Sequence, residues 1–421
     1  MISTLTQAFG IAIVLLALGQ LFAIIKEMMI SLAAAKQQTE LELAVLKLKV
    51  EEHTLRLQGK REKLAAGWSG IRKFTVAKRV DEGGEICSFY LKPHDGRPIP
   101  SFDSGQYLTF ELKVPGKGKP VTRCYSLSDS ALNDDHYRVS IKRAGAPPTN
   151  PDAPPGVASD HFHQRINEGD IVDVKAPAGN FCLDLSKTNP IVLIGGGVGV
   201  TPMLSMLNTL VDSGSRREVW FFYGVRHGNE QIMKAHLSGL AAQYDNLRLC
   251  ICYSEPREEE QEGVDYTYGE RVSVDLFKRV LPANNFEFYI CGPPPMMESI
   301  TDGLKEWGVP EGDIYFEAFG PASVKKKASK DVDEKGQTYE IAFDRSGKKV
   351  VWNDSTTSIL ELAEDSDVIM DFGCRAGSCG SCVVAIKSGS VDYISAPSAS
   401  TDGGTCLSCL AIPKSDLVLD A

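Results

Sequence analysis

The chain lacks the positive charge that a nucleic-acid-binding protein needs. It carries 45 Lys and Arg against 55 Asp and Glu, for a formal net charge of -10 at pH 7. Because phosphate binding requires a concentrated basic surface, this balance argues against nucleic acid and favours basic partners. The apolar fraction of 43% and the charged fraction of 24% are near globular averages and argue against wholesale disorder or a polytopic membrane protein.

The chain also lacks the cysteine pattern of a secreted disulfide scaffold. Such frameworks occur in short chains, whereas 421 residues are enough for roughly three folded units. Five of the 11 cysteines follow residue 373, at spacings of four and two, which indicates metal ligation in a reducing compartment. The other six are scattered, and most are predicted to be buried free thiols: Cys87, Cys124, Cys182, Cys250, Cys252 and Cys291.

An apolar run near the N-terminus predicts a membrane anchor. Residues 8–25 are apolar except for Gln20, and with their flanks they are long enough to cross a hydrocarbon core. We predict a single transmembrane helix within residues 1–32; the alternatives are a buried helix or a signal peptide, although no Lys or Arg precedes the run. Lys26 and Lys36 flank only its C-terminal side, which predicts a single-pass cell-membrane protein with its later domains on the cytoplasmic side.

The next segment, residues 33–67, has no glycine before Gly59 and no proline, which favours a helix. Its apolar residues recur mainly at spacings of three and four, with polar interruptions at 53 and 60. This seam predicts either a coiled coil, which would form a homo-oligomer through residues 33–64, or a single stalk helix packed on the following domain. The apolar positions are Leu43, Leu46, Val50, Leu57 and Leu64.

From residue 68 the pattern changes to short runs rich in Val, Thr, Phe and Tyr, as in residues 73–77, 86–91 and 106–112. Glycine-containing turns separate these runs, which predicts an antiparallel β-barrel over residues 68–187. Strand and helix patterns then alternate, which predicts an α/β doubly wound parallel sheet over residues 188–321.

The rest of the chain divides into a charged linker and a last small domain. Residues 322–336 are rich in lysine and acidic residues and predict a linker. Residues 337–421 then form the last domain. The fold class is therefore multidomain.

The strongest motif is Cys374-x4-Cys379-x2-Cys382, whose spacing is typical of plant-type [2Fe-2S] clusters. Two irons bridged by sulfide need four thiolates, and the glycines between these cysteines allow a loop to wrap the cluster closely. A zinc site would require paired C-x2-C units instead. Cys406 and Cys409 both follow at a workable distance, so the spacing leaves the fourth ligand open.

A glycine-rich turn, Gly195-Gly-Gly-Val-Gly199, lies between a buried-type strand and a helix. Backbone amides and the helix dipole favour a pyrophosphate at such a turn. Taken alone it is weak evidence, because it departs from the G-x-G-x-x-G fingerprint by placing Pro202 at the last position.

Two further motifs give this turn a context: Arg123-Cys-Tyr-Ser126 in the predicted barrel and Cys291-Gly-Pro-Pro-Pro-Met-Met297 after the strand at 287–290. In this order, residues 74–320 resemble the ferredoxin-NADP reductase superfamily, and within it the reductase part of flavohaemoglobins and the oxygenase reductases. The resemblance implies that the barrel binds FAD, that the parallel sheet binds NAD(P), and that the last domain is an α+β ferredoxin domain of the β-grasp type.

The resemblance also assigns residues to the flavin. Tyr125 is expected to stack on the isoalloxazine ring and Ser126 to bond the flavin N5 region. Arg123 is expected to hold the flavin phosphates, and Tyr107 to contact the adenine or ribityl part. Two residues lie in the segments that hold the pyrophosphate in this family, which favours FAD over FMN: Lys142 and Ser159.

For the nicotinamide, the resemblance implies that Cys291 and Gly292 lie beside the reacting ring and that Phe319 covers the other flavin face and yields to the nicotinamide. The implied catalytic residues are Ser126, Cys291 and Phe319. The choice between NADH and NADPH depends on whether a cation meets the ribose 2′-phosphate, and Arg226 with His227 lies near the expected place. NADH is favoured. The dinucleotide is expected to contact Gly197, Val198, Gly199, Thr201 and Pro202.

For the cluster, Leu407-Ser-Cys409 matches the Leu-x-Cys that precedes a final strand in ferredoxin domains of this type. The resemblance therefore implies that Cys409 is the fourth ligand and that Cys406 is structural. The implied metal ligands are Cys374, Cys379, Cys382 and Cys409.

The expected function is electron transfer from NAD(P)H through FAD and the [2Fe-2S] cluster to an acceptor protein. The anchor suggests a membrane-associated acceptor, such as an oxygenase, a desaturase or a respiratory component. The last domain holds six basic and twelve acidic residues from position 336 onward, which suggests an acidic face that steers a basic acceptor. The alternative is a redox-sensing or scaffold subunit of a membrane complex.

Overall fold

The structure is a computed structural model. It describes residues 19–21, 26–29, 31, 36–38, 40, 42–51, 54, 68 and 70–421, except for 117, 119, 147–153, 320–337, 353–355, 357, 373–374, 376, 378–379, 381, 395–396, 398–400 and 402. The chain divides into two compact units, Met1–Ala66 and Gly67–Ala421. The predicted linker at 322–336 lies outside the described residues.

In the first unit, residues 42–51 are helical. Leu43, Leu46 and Val50 of the predicted seam are each more than half exposed, at 52%, 57% and 59%. Most of the predicted anchor lies outside the described residues. Within the described part of the chain, no helix is both long enough and apolar enough to span a membrane. The anchor, the coiled coil and the cytoplasmic placement therefore stay predictions.

The first domain of the second unit contains the strands β1 (Arg72–Gly83), β2 (Ile86–Pro93), β3 (Tyr107–Leu112), β4 (Val121–Ser126), β5 (Tyr137–Lys142) and β6 (Ile171–Ala178), with helix α1 (Val157–Arg165). The strands form one antiparallel sheet in the order β4-β3-β6-β1-β2-β5. A bridge between Leu127 and Val139 joins the two edge strands, so the sheet closes on itself. The predicted antiparallel barrel is confirmed.

Helix α1 packs on the core of this barrel through Phe162, which is fully buried. The Phe162 ring lies 5.2 Å from the ring centroids of both Phe89 and Phe110, in edge-to-face contacts. This packing fixes the N-terminus of α1 near the end of β5, where Gly156 N–H donates to the Ala144 carbonyl at 2.9 Å.

The second domain contains the strands β7 (Ile191–Gly196), β8 (Val219–Val225), β9 (Leu247–Tyr253), β10 (Glu287–Cys291) and β11 (Ile314–Glu317). Its helices are α2 (Val200–Asp212), α3 (Lys234–Gln243), α4 (Val274–Val280) and α5 (Pro294–Glu306). All strand pairs are parallel, in the order β11-β10-β7-β8-β9. Ile191 and Leu193 face one hydrophobic core while Val192 and Ile194 face another, so both sides of the sheet are covered, as predicted.

The last domain contains β12 (Glu340–Phe343), β13 (Lys348–Val351), β14 (Val383–Ser388), β15 (Val391–Tyr393), β16 (Thr405–Leu407), β17 (Ala411–Pro413) and β18 (Leu417–Leu419), with helix α6 (Ile359–Asp365). A mixed sheet of order β13-β12-β18-β14-β16 packs on α6, and β15 and β17 form a separate pair. The Ser358 hydroxyl caps α6 by accepting from the Glu361 N–H at 3.2 Å.

Candidate functional site

The predicted flavin residues of the barrel lie on two neighbouring strands. In the β3–β4 ladder Tyr107 lies opposite Ser126, and both side chains are buried, at 2% and 6% exposure. Tyr125 faces the opposite way and packs edge-on against Phe162, with 5.4 Å between ring centroids. Burial raises the pKa of the Tyr125 phenol far above its ordinary value, so the ring is neutral at physiological pH. Arg123 is exposed, and its Nη1 donates to the Thr122 carbonyl at 2.7 Å.

The second flavin region is the connection from β5 to α1. The Ser159 hydroxyl accepts from the Ala144 N–H at 3.0 Å and donates to the Gly156 carbonyl at 3.1 Å. The Ser159 hydroxyl therefore stabilises the turn. A pyrophosphate would be bound not by this hydroxyl but by the backbone N–H groups at the start of α1. Burial opposes the charge of Glu230 in the second domain, but hydrogen bonds from Arg226 and, to a lesser extent, the charge of Lys142 at the end of β5 lower the pKa of that carboxyl.

The glycine-rich turn after β7 is in direct contact with the turn after β10. A Cβ at Gly199 would lie 2.3 Å from the Cys291 carbonyl oxygen, and one at Gly196 would lie 2.8 Å from the Pro293 ring. Only glycine therefore fits at these positions. Because β7 and β10 are adjacent parallel strands at the point where the strand order reverses, the two turns form the crevice where α/β sheets bind ligands.

The predicted dinucleotide residues lie at the start of α2. Gly197 has a φ of +54°, in the left-handed region, which lets the chain turn from strand to helix. The Thr201 hydroxyl donates to the Val198 carbonyl at 3.0 Å and is buried, so this hydrogen bond stabilises the turn. Gly197 and Val198 are partly exposed at the mouth of the crevice.

Cys291 ends β10 beside the glycine-rich turn, and its side chain is fully buried. Burial raises the pKa of its thiol well above the usual value, and the carboxylate of Glu317 adds to the shift. The thiol is therefore neutral and acts as a small apolar group with a weak S–H donor. Phe319, two residues beyond β11, is 37% exposed.

Glu317 was not among the site residues predicted from the sequence, although its carboxylate acts on the Cys291 thiol. It lies beside Cys291 in the β10–β11 ladder and is 3% exposed, which is rare for a carboxylate. The sequence held one signal for Glu317, because an acidic residue there ends a strand just before Phe319.

In the last domain the structure brings two of the predicted cluster ligands together. The sulfurs of Cys382 and Cys409 are 3.1 Å apart, and both residues are buried. Cys406 belongs to a different hydrophobic core, and burial raises the pKa of its thiol to about 12. A pair of adjacent buried thiols fits one iron of a [2Fe-2S] cluster. Cys374 and Cys379 lie outside the described residues.

Comparison with known families identifies three domains. Residues 73–182 match an oxidoreductase FAD-binding domain, residues 193–302 an oxidoreductase NAD-binding domain, and residues 341–414 a 2Fe-2S iron-sulfur cluster binding domain. All three matches lie within the domains predicted from the sequence.

Similar proteins include flavohemoproteins and solved reductases. The chain is 40% identical over 257 residues to a flavohemoprotein of Bacillus thuringiensis subsp. konkukian. This match covers 61% of this chain and 63% of that relative's length. The flavohem-like FAD/NAD binding domain of nitric oxide dioxygenase from Vibrio cholerae is 32% identical, with a TM-score of 0.53, over 59% of this chain and 99% of that one. Phthalate dioxygenase reductase is 26% identical, with a TM-score of 0.54, over 84% of this chain and 98% of the reductase chain.

The chain therefore belongs to the ferredoxin-NADP reductase family, as the order of its motifs predicted. More narrowly, it is a flavin and iron-sulfur oxidoreductase with FAD-binding, NAD-binding and [2Fe-2S]-binding domains.

Proposed function

We propose that this reductase uses NADH and delivers electrons from its [2Fe-2S] domain to a separate acceptor protein. The observation that carries the proposal is the similarity to phthalate dioxygenase reductase, which extends over 84% of this chain and includes all three domains. Phthalate dioxygenase reductase is a modular protein for electron transfer from pyridine nucleotides to [2Fe-2S].

Each predicted residue of the barrel and of the crevice has a proposed role. FAD, when bound, would supply the chemistry that takes hydride from the nicotinamide and passes the electrons singly to the cluster. Tyr125 supports the flavin ring, Ser126 bonds near its N5, and Arg123 neutralises its phosphates. The first turn of α1 binds the pyrophosphate. The glycine-rich turn seats the dinucleotide, and Cys291 bounds the space for the nicotinamide ring once Phe319 has moved aside.

The preference for NADH is supported by the pairing of Arg226 at the carboxyl end of β8. Arg226 follows that strand, where an adenosine ribose lies in sheets of this type. Its Nε donates to the Glu230 carboxylate at 2.9 Å, and Glu230 also accepts from the Arg226 backbone N–H at 3.2 Å. The guanidinium is therefore already paired, and the same carboxylate repels a ribose 2′-phosphate.

An anaerobic titration tests the proposal. We expect NADH to bleach the flavin absorbance and a reduced [2Fe-2S] EPR signal to follow, with NADPH less effective at equal concentration. If the flavin bleaches but no cluster signal develops, the last domain has another role and the proposed electron path is wrong.

The apolar run at the N-terminus supports a second proposal, that the reductase is anchored on the cytoplasmic side of the cell membrane and serves a membrane-associated acceptor. The exposed stripe of Leu43, Leu46 and Val50 supports pairing of the anchored chains through a coiled coil.

A further inference from the structure

The turn between β1 and β2 brings the FAD-binding domain into contact with the NAD-binding domain. The two strands are joined by Gly84 and Glu85, whose φ values of +56° and +58° are typical of a tight type I′ hairpin turn. A Cβ at Gly84 would lie 2.9 Å from the Asn229 carbonyl oxygen and 3.0 Å from the Glu230 Cα. The hairpin therefore packs directly on the main chain of the other domain.

The contacted segment is the short 3-10 turn Gly228–Glu230, which follows β8. Glu230 is the carboxylate that pairs with Arg226 at the proposed ribose position, and its side chain is only 14% exposed. The hydroxyl of Tyr223, a residue of β8, donates to the Glu230 carbonyl at 3.3 Å. The backbone of Glu230 is thus contacted both by a strand of its own domain and by the hairpin of the FAD-binding domain.

A second effect of the FAD-binding domain acts on the Glu230 carboxylate itself. Lys142 at the end of β5 is the strand partner of Ile86, the first residue after the hairpin turn. Burial opposes the charge of Glu230, but the hydrogen bonds from Arg226 and the charge of Lys142 lower its pKa. The hairpin therefore contacts the backbone of Glu230 while the neighbouring strand favours its charged form.

We propose that Gly84 is a positioning residue through which the FAD-binding domain sets the preference for NADH over NADPH. The hairpin keeps Glu230 where its carboxylate pairs with Arg226, so a displaced Glu230 releases the guanidinium for a ribose 2′-phosphate. Only glycine fits at position 84, because a side chain there would displace the turn that carries Glu230. This inference rests on the proposed function, which assigns the preference to the Arg226–Glu230 pair.

The test compares Gly84→Ala with Gly83→Ala in the purified holoenzyme. Gly83 is the matched control, because its φ of +85° is also positive but a Cβ there would lie 3.7 Å from the Asn229 carbonyl oxygen, an ordinary contact distance. Alanine is strained at both positions, and no less so at Gly83, since the left-handed region is centred near about +57°.

Two kinds of measurement are made on each variant. The Kd values of NAD⁺ and NADP⁺ for the oxidised protein are obtained by isothermal titration calorimetry. Ferricyanide reduction with NADH and with NADPH gives kcat and KM separately. FAD content and Tm show whether the variant is folded and loaded.

We expect Gly84→Ala to tighten NADP⁺ binding relative to NAD⁺ about fivefold, as for the weakening of one charge-assisted hydrogen bond. The same factor should appear in the ratio of the KM values for the two reduced nucleotides, with little change in kcat. Gly83→Ala should keep the wild-type ratios.

Two further variants show whether Gly84 acts through Glu230. In a Glu230→Gln background, Gly84→Ala should change the ratios no further, because the pairing that it disturbs is already absent. Lys142→Gln leaves the backbone of the hairpin unchanged, and it should shift the ratios toward NADPH by a smaller factor than Gly84→Ala.

Unchanged ratios in Gly84→Ala would overturn the proposal, as would an equal change in Gly83→Ala or an undiminished effect in the Glu230→Gln background. If Gly84→Ala does not retain FAD, unchanged ratios in Lys142→Gln overturn it instead. A wild-type protein with no preference for NADH would refute the proposed function itself, and this inference with it. A wild type that prefers NADH, together with a Gly84→Ala variant that prefers it equally, would refute the inference alone.

Discussion

At the scale of single residues, the two cysteines of Cys406-Leu-Ser-Cys409 differ in what they touch. Both are buried, but only Cys409 has its sulfur next to that of Cys382, at 3.1 Å. Cys406 lies opposite Val384 in the β14–β16 pair and belongs to the core beneath the sheet. The proposed assignment of Cys409 as the fourth ligand therefore separates two thiols that the spacing alone leaves equivalent.

We predict that Cys409→Ala removes the cluster while Cys406→Ala retains it. A [2Fe-2S] cluster needs four thiolates, whereas loss of the Cys406 sulfur removes only a small buried group. Iron content and the EPR signal of the reduced protein are measured in both variants. Flavin content serves as the folding control, since the FAD-binding domain is separate in the chain. Retention of a full cluster signal in Cys409→Ala would refute the assignment.

Glu230 is predicted to restrict the enzyme to NADH. Burial alone raises the pKa of this carboxyl, but the hydrogen bonds from Arg226 outweigh it and the net pKa is lowered, so Glu230 is charged at physiological pH. Glu230→Gln should free the Arg226 guanidinium and raise kcat/KM for NADPH about tenfold, the equivalent of one charge-assisted hydrogen bond. Steady-state kinetics with both nucleotides measure the change.

The matched control is Glu260→Gln, which neutralises another carboxylate of the same region. Glu260 accepts from the Gly228 N–H at 2.7 Å, whereas Arg226 pairs with Glu230. An equal gain of NADPH activity in Glu260→Gln would mean that general charge, and not the release of Arg226, sets the preference.

At the scale of elements, helix α2 is held against the flavin domain by the loop that follows β4. The Ala131 N–H donates to the Thr209 hydroxyl at 2.9 Å, and the Asn208 amide donates to Asp129 at 3.4 Å. Asp129 also contacts His136 at 3.2 Å. Because α2 begins at the glycine-rich turn, these contacts set the position of the nicotinamide crevice relative to the barrel.

Asp129→Asn is predicted to loosen this contact. Burial opposes the charge of Asp129, but the His136 hydrogen bond and the Arg138 charge together lower its pKa from 3.8 to about 2. Because its pKa is lower in the folded state, the ionised Asp129 stabilises the fold fully above pH 3.8. This stabilisation is lost as the pH falls through about 2. At pH 7 it amounts to about 2 kcal/mol. Thermal unfolding at pH 7 should show a lower Tm for the variant.

The same variant should change the titration of His136. The hydrogen bond to Asp129 is the main cause that raises the pKa of this histidine. Its stabilising effect is complete below pH 6.5 and fades as the pH rises through the raised folded value. NMR titration should give a lower His136 pKa in Asp129→Asn than in the control Asp135→Asn, which contacts His136 from the exposed side at 3.1 Å. Equal values would contradict the dominant role of Asp129.

At the scale of the whole molecule, the proposed anchor predicts how the protein fractionates. The full chain should sediment with membranes and be released by detergent but not by high salt, because apolar burial in lipid is insensitive to ionic screening. A variant that lacks residues 1–32 should stay in the supernatant and keep NADH-dependent ferricyanide reduction. Release of the full chain by high salt would indicate electrostatic attachment instead of an anchor.

Much of this molecule was determined by the sequence itself. The order of the three domains, the antiparallel and parallel sheets and the [2Fe-2S] motif are predictable because strand periodicity, glycine-rich turns and thiol spacing are local along the chain. The family follows from the same motifs, since their order is also a property of the sequence.

Only the tertiary structure decided which distant residues meet. Nothing local in the sequence brings Gly199 against Cys291, the sulfur of Cys409 against that of Cys382, or Glu317 beside Cys291. The pairing of Arg226 with Glu230 and the contact of Asp129 with α2 also depend on how loops pack. These contacts arise when strand order and core packing close the chain on itself, and that information is distributed over the whole fold.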